Sequence, residues 1–399
     1  MNRKAKFKQT EIGMISEDWE IKELKELGKI GTGKGTKNLE TGEYEIIGAN
    51  GVIGFTNDFL EDCNLIYTGR VGTIGILNFL RKRKVWLSDN TLYFKSNDEH
   101  ILKYVYYCLK RIDFSFLNVG STQPLIKQSD FQRIKIIIPK NHLEIINIAK
   151  ILSSLDDKIE LLQQMNKTLE EIGQAIFKHW FVDLEFPNEE GKPYKSSGGE
   201  MVYNEELGKE IPKGWKVKEI GEFIEFVKGR KPDVVFDSYE EGLLPQILID
   251  VLDGGNPNFS NPKDMIISDE ADIIIVMDGA SSGRTERGFA GILGSTLAKI
   301  KVKELNQDYA YYLLKGKEED IKVNTTGTSI PHADKKKIEK YLIPVPSKKI
   351  LEDFQNKVNK LLFRQILIRK EIKILSQIRD SLLPKVMAGK IRVPLEDEK

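Results

Sequence analysis

Two stretches of the chain place apolar residues at alternating intervals of three and four. From 145 to 176 the series is Ile145, Ile148, Leu152, Leu155, Ile159, Leu162, Asn166, Leu169 and Ile176, with Gly173 breaking one slot. From 351 to 382 it is Leu351, Phe354, Val358, Leu361, Gln365, Ile368, Ile372, Leu375, Arg379 and Leu382. Such spacing keeps one apolar stripe on one helix face, and about four heptads of it predict a coiled coil. Asn166, Gln365 and Arg379 fall in core slots, where a polar side chain costs stability but fixes register. The expected interface is Leu152, Leu155, Ile159, Leu162, Asn166 and Leu169 on one helix. On the other it is Val358, Leu361, Gln365, Ile368, Ile372 and Leu375. A helix of ~40 residues is ~60 Å long, so a pair would form a rod, close to two turns of B-DNA at ~34 Å each.

The remaining pattern is short apolar runs broken by glycine-rich turns. Residues 44–55, 64–77 and 90–95 read as strands in the first half, and 247–252, 272–279 and 297–302 take their place in the second. Each half is expected to be α+β, with a twisted, mostly antiparallel sheet.

The halves also repeat one another. Trp19 falls on Trp215, Leu24 on Ile220 and Gly33 on Gly229, at a constant offset of 196. Y-V-Y-Y-C-L-K (104–110) returns as Y-A-Y-Y-L-L-K (309–315), and G-S-T-Q-P (120–124) as G-T-S-I-P (327–331). A period near 200 residues far exceeds the ~20–50 of a solenoid unit. It implies two copies of one domain, 1–140 and 213–346, each followed by a spacer helix, 141–184 and 347–390. Residues 185–212, rich in Gly, Pro and polar side chains, read as a linker, and 391–399 as a tail.

Composition narrows the class. The 399 residues are 40% hydrophobic, no apolar run approaches the ~20 residues of a membrane span, and the basic start lacks the apolar core of a secretory signal. Cys63 and Cys108 are too few for a disulfide framework and suit a reducing cytoplasm. The net charge of +1 conceals three basic runs, Arg81–Lys84, Lys228–Lys231 and Lys335–Lys337, which suggest local phosphate-facing surfaces.

Three segments imitate enzyme motifs, one of them I-I-I-V-M-D (273–278), an apolar strand ending in an aspartate as at a magnesium site. Gly28–Thr36 (G-K-I-G-T-G-K-G-T) nearly matches a phosphate loop, which leaves open a nucleotide-binding enzyme. That loop requires a buried strand before it and a helix after it, and a charged amphipathic stretch precedes this one. Asn256–Phe259 (N-P-N-F) lacks the second proline of the base-gripping motif of adenine methyltransferases. The four histidines and two cysteines show no metal-ligand spacing. No catalytic residue and no metal ligand is assigned.

Five segments together carry a family resemblance. They are L-S-S-L-D-D-K-I-E-L-L-Q-Q-M-N-K-T-L-E-E-I (152–172), I-F-K-H-W-F-V-D (176–183), G-K-P-Y-K-S-S-G-G-E-M-V (191–202), L-G-K-E-I-P-K-G-W (207–215) and R-D-S-L-L-P-K-V-M-A-G-K-I-R-V (379–393). With them the chain resembles the specificity subunit of type I restriction–modification enzymes over essentially its full length. The resemblance implies two target-recognition domains, each reading half of a split double-stranded DNA sequence, and two antiparallel helices as spacer. It implies two methyltransferase subunits docked on those helices and motor-nuclease subunits joining for cleavage. S-adenosylmethionine, ATP and magnesium would then be held by the partners. The halves differ outside their structural residues, so the expected target is asymmetric. A coiled-coil scaffold without DNA readout is the remaining alternative.

Base edges are read by Arg, Lys, Asn, Gln, Ser and Thr, and phosphates are held by Lys, Arg and turn amides. The expected DNA contacts of the first domain are Lys34, Lys37, Asn50, Arg70, Thr73, Arg81, Arg83, Ser121, Thr122 and Gln123. Those of the second are Lys228, Arg230, Lys231, Ser281, Ser282, Arg284, Arg287, Thr328 and Ser329.

Overall fold

A computed structural model describes residues 6–120, 123–327 and 330–393. It divides into two compact units, residues 1–161 with 373–399, and residues 162–372.

The unit built on the first half contains two four-stranded sheets. One is antiparallel and runs Lys29–Thr32, Thr91–Lys95, Leu65–Gly69, Leu77–Leu80. The other runs Gly51–Thr56, Tyr44–Gly48, Lys84–Leu87, Glu61–Asp62, and its central pair is parallel. It also holds a hairpin, Phe7–Thr10 with Gly13–Ser16, and a two-stranded ribbon, Trp19–Glu23 with Lys135–Pro139. The second unit repeats this order. Its antiparallel sheet is Ile224–Lys228, Leu297–Val302, Ile273–Val276, Thr285–Glu286. Its mixed sheet is Phe259–Ser260, Leu244–Ile247, Gly291–Leu293, Ile267–Ser268, again with a parallel central pair. Its ribbon pairs Lys216–Glu219 with Leu342–Val345.

The expected mostly antiparallel sheet is two sheets per domain, one antiparallel and one mixed. The run 247–252 is also corrected, because Ile249–Leu252 is a helical turn following a strand that ends at Ile247. A short apolar run does not separate strand from helix by periodicity. Gly28–Thr36 forms no phosphate loop. Lys29–Thr32 is a strand, the Gly33 and Lys34 amides donate to the Thr91 and Leu87 carbonyls at 3.1 and 2.8 Å, and no helix follows. Donors already spent on carbonyls cannot cradle a phosphate.

The repeated residues have repeated jobs. Tyr104 donates to the Ile137 carbonyl and Tyr309 to that of Pro344, so each tyrosine-rich helix is stitched to its own ribbon. Gly33 and Gly229 lie where a neighbouring strand end approaches closely, and a Cβ there would collide with the Ser88 or Gly294 carbonyl oxygen.

The long helices run His142–Phe177 and Lys348–Met387. At 1.5 Å per residue they are ~54 and ~60 Å long. In the first unit Arg379 bonds Asp156 at 2.8 Å, and in the second Gln365 bonds the Asn166 carbonyl at 3.4 Å and Glu170 at 3.2 Å. Residue numbers rise on one helix as they fall on the other, so the pairing is antiparallel. Along the seam Leu152, Ile159, Leu162, Val358, Gln365 and Ile368 are buried, while Leu155, Asn166, Leu169, Leu361, Ile372 and Leu375 are half-buried. Leu362, beside Leu361, is the deeper residue of that turn. The missing side chain at Gly173 makes room for Tyr312, whose hydroxyl would meet any Cβ there.

Residues 185–212 are more ordered in pattern than a polar linker. They contain the hairpin Met201–Asn204 with Lys209–Pro212, and Phe186 stacks on Tyr194 and Trp215 at 4.6 and 5.3 Å.

Candidate nucleic-acid interface

In the first domain the exits of Lys29–Thr32 and Leu65–Gly69 meet the entrance of Thr91–Lys95, because Thr32 pairs with Leu92 and Gly69 with Thr91. The exit of Tyr44–Gly48 joins them, since the Ile47 carbonyl accepts from Ser88. Lys34, Asn50, Arg70 and Thr73 leave from this edge. Asn50 donates to the Thr73 hydroxyl at 3.2 Å. The loop through Gln123 closes over it, with the Gly72 amide donating to the Pro124 carbonyl and Ile126 to that of Arg70, both at 2.9 Å. The Arg70 Nε is buried without a partner. Lys37 is exposed beside Asn38, whose side chain bonds the Ile53 carbonyl.

The second domain builds the same edge. Arg230 donates its amide to the Leu293 carbonyl as Lys34 does to that of Leu87, and Gly279 donates to the Pro331 carbonyl at 2.9 Å as Gly72 does to that of Pro124. Among the described residues Lys34, Lys37, Arg230 and Lys231 are exposed and form no ion pair, so the rim of each domain carries free positive charge. Ser281 is half-buried in the loop after Ile273–Val276.

Other expected contacts lie elsewhere or are engaged. Arg81 and Arg83 sit at the opposite end of the sheet, since Leu80 pairs with Leu65 at the strand's entrance. Arg81 bonds Asp157 and Glu160 of the long helix at 2.6 and 2.9 Å, and Arg83 bonds Glu45. Lys228 is paired with Asp278 at 3.0 Å. Arg284 is clamped by Asp253 at 2.5 Å and Glu286 at 3.0 Å.

Two expectations are overturned by burial. Arg287 is only 3% exposed, bonds Asp308 at 2.5 Å and lies 4.1 Å from the Tyr311 ring centre, so it is a core ion pair. Ser282 is 2% exposed, and its hydroxyl faces the Met277, Gly279 and Pro331 carbonyls, which ties two loops together. Ser121, Thr122, Thr328 and Ser329 lie outside the described residues.

By sequence, Asp278 is only the end of an apolar strand imitating a magnesium site, and His332 only a histidine without metal-ligand spacing. Asp278 accepts from Lys228 and, at 2.7 Å, from His332 Nδ1. Burial opposes its charge, but the bonds from His332 and Lys228 outweigh that and hold its carboxyl below the usual range. At the matching place in the first domain, the isolated bridge Asp278–His332 is Val71–Leu125. The equivalence only emerges from strand register, because the offset between the halves grows from 196 at Gly33 to 207 at Gly120. The sequence reading that no G-x-S-x-G nucleophile motif is present is wrong, because Gly279–Gly283 (G-A-S-S-G) has that spacing. Its loop joins strand to strand instead of strand to helix, and among the described residues neither serine hydroxyl bonds His332.

The family model described as "Type I restriction modification DNA specificity domain" matches residues 16–171 and again 212–381. The chain belongs to that family. Among specificity-family relatives, the type I restriction enzyme MjaIX specificity subunit of Methanocaldococcus jannaschii is 30% identical over 98% of this chain and 97% of that one. The MjaVIII specificity subunit of the same organism is 36% identical over 47% of this chain and 45% of its own. A type I restriction–modification S subunit from M. genitalium shares the fold, with a TM-score of 0.57 at 21% identity over 92% of this chain and 96% of that one. Each family match takes in one recognition domain and the helix that follows it. Among the described residues no helix is long and apolar enough to cross a membrane, and no cluster of His, Cys, Asp and Glu could hold a metal ion.

Proposed function

We propose that this chain is the DNA-sequence-specificity subunit of a type I restriction–modification assembly acting in the cytoplasm. Each domain reads one half of a split target through its loop edge, and the paired helices set the spacer and dock two methyltransferase subunits. Motor-nuclease subunits join the same assembly. The chain performs no chemistry itself, and S-adenosylmethionine, ATP and magnesium belong to the partners.

The observation that carries this reading is one loop edge built twice on identical strand orders but lined differently. Lys34 and Arg230 keep the positive rim, while Val71 and Leu125 are replaced by Asp278 and His332. Shared phosphate-facing charge supplies affinity, and unlike loop side chains supply unlike base preferences. Selection of bound duplexes from a randomised pool, using the full chain with its methyltransferase partner, tests it. A split consensus with two unlike halves is expected. Assembly with the partner but no consensus would favour a scaffold without DNA readout.

A further inference from the structure

The loop edge of the second domain holds a side-chain pair that its counterpart lacks. His332 is exposed, with 48% of its side chain accessible, and Asp278 is largely covered at 21%. One Asp278 oxygen takes Lys228 at 3.0 Å and the other takes His332 Nδ1 at 2.7 Å. An ionised carboxylate only accepts, so it selects the imidazole tautomer protonated at Nδ1. Nε2 of the neutral ring is then a bare acceptor. The backbone is fixed as firmly as the ring. His332 and Thr326 exchange amide–carbonyl bonds at 2.8 and 2.9 Å, and Ser282 clamps the preceding Pro331 carbonyl at 2.9 Å. An exposed, oriented acceptor on a nucleic-acid-facing edge suits a base edge, and in the major groove the exocyclic amino groups of adenine and cytosine are the donors.

We infer that His332 is a specificity-determining residue of the second recognition domain, its Nε2 accepting from the exocyclic amino group of an adenine or cytosine, with Asp278 as its positioning residue. This rests on the proposed DNA-reading role. The first domain has Leu125 at the same place, whose side chain offers no acceptor, so it reads its half-site by other contacts.

The test is duplex selection by the full chain with its methyltransferase partner, comparing wild type, His332→Ala and Asp278→Asn. For His332→Ala the inference expects roughly tenfold or greater loss of discrimination at one position of one half-site, the other half unchanged. Asp278→Asn should alter preference at that same position, since an asparagine amide can donate to Nδ1 and reverse the tautomer. A general weakening from misfolding would instead lower occupancy at every position alike. If His332→Ala abolishes binding, His332→Leu, the residue type the first domain carries at this place, makes the same test without an acceptor. A wild-type consensus from the histidine variants would overturn the inference and leave the DNA-reading role standing. No consensus from wild type would overturn the DNA-reading role itself.

Discussion

For a single cation on this chain, the nearest carboxylate decides whether it can meet a polyanion. Arg81, Arg83, Lys228 and Arg284 already have one, and Lys34 and Arg230 do not. Lys34→Ala and Arg230→Ala should each weaken DNA binding on all sequences alike and reduce the log–log salt slope by about 1, read from binding titrations at several salt concentrations. Arg287 tests the opposite case. Its removal leaves Asp308 buried and uncompensated, so Arg287→Ala should cost about 3–5 kcal/mol in denaturant unfolding. Asp278 gives a pH signature. Its folded-state pKa is depressed below the ordinary 3.8, so its stabilisation is complete above that value and is lost as pH falls through the lower folded one. Asp278→Asn should therefore lower the melting temperature at pH 7, with the gap to wild type closing below about pH 4. The polar and basic residue types of the loop edges can be read from the sequence, but their burial cannot. Arg287 and Arg284 stand three positions apart in one polar stretch, and only the fold turns one of them inward against Asp308.

Among the elements, the long helices were legible almost to their ends because heptad spacing is a local signal. Their register was not, since it depends on which polar groups meet across the seam. Asp156 finds Arg379, and Asn166 and Glu170 find Gln365. Gly173, a gap by spacing alone, proves to be the site where Tyr312 enters. Gly173→Leu should gain helix propensity yet destabilise the protein, because the new side chain overlaps the tyrosine, and thermal melts would show a lower midpoint. The strands were located where alternation was long, as at 90–95 and 297–302. The parallel pairs Tyr44–Gly48 with Lys84–Leu87 and Leu244–Ile247 with Gly291–Leu293 could not be read. They join residues about 40 apart in sequence, and nothing local marks such a partner.

Across the whole chain, duplication is the organising fact. The repeat seen at Trp19 and Trp215 extends to both sheets, to the ribbon and to the amide bonds that close each loop edge. Duplication leaves the side chains of the loop edges unlike, as at Val71 and Asp278, and from this an asymmetric target is predicted. Sequencing of modified adenines in cells expressing this chain with its methyltransferase partner tests that most directly. The account predicts one split motif, two unlike half-sites at a fixed spacing, absent when the chain is omitted. A palindromic motif, or modification with no sequence preference, would contradict it.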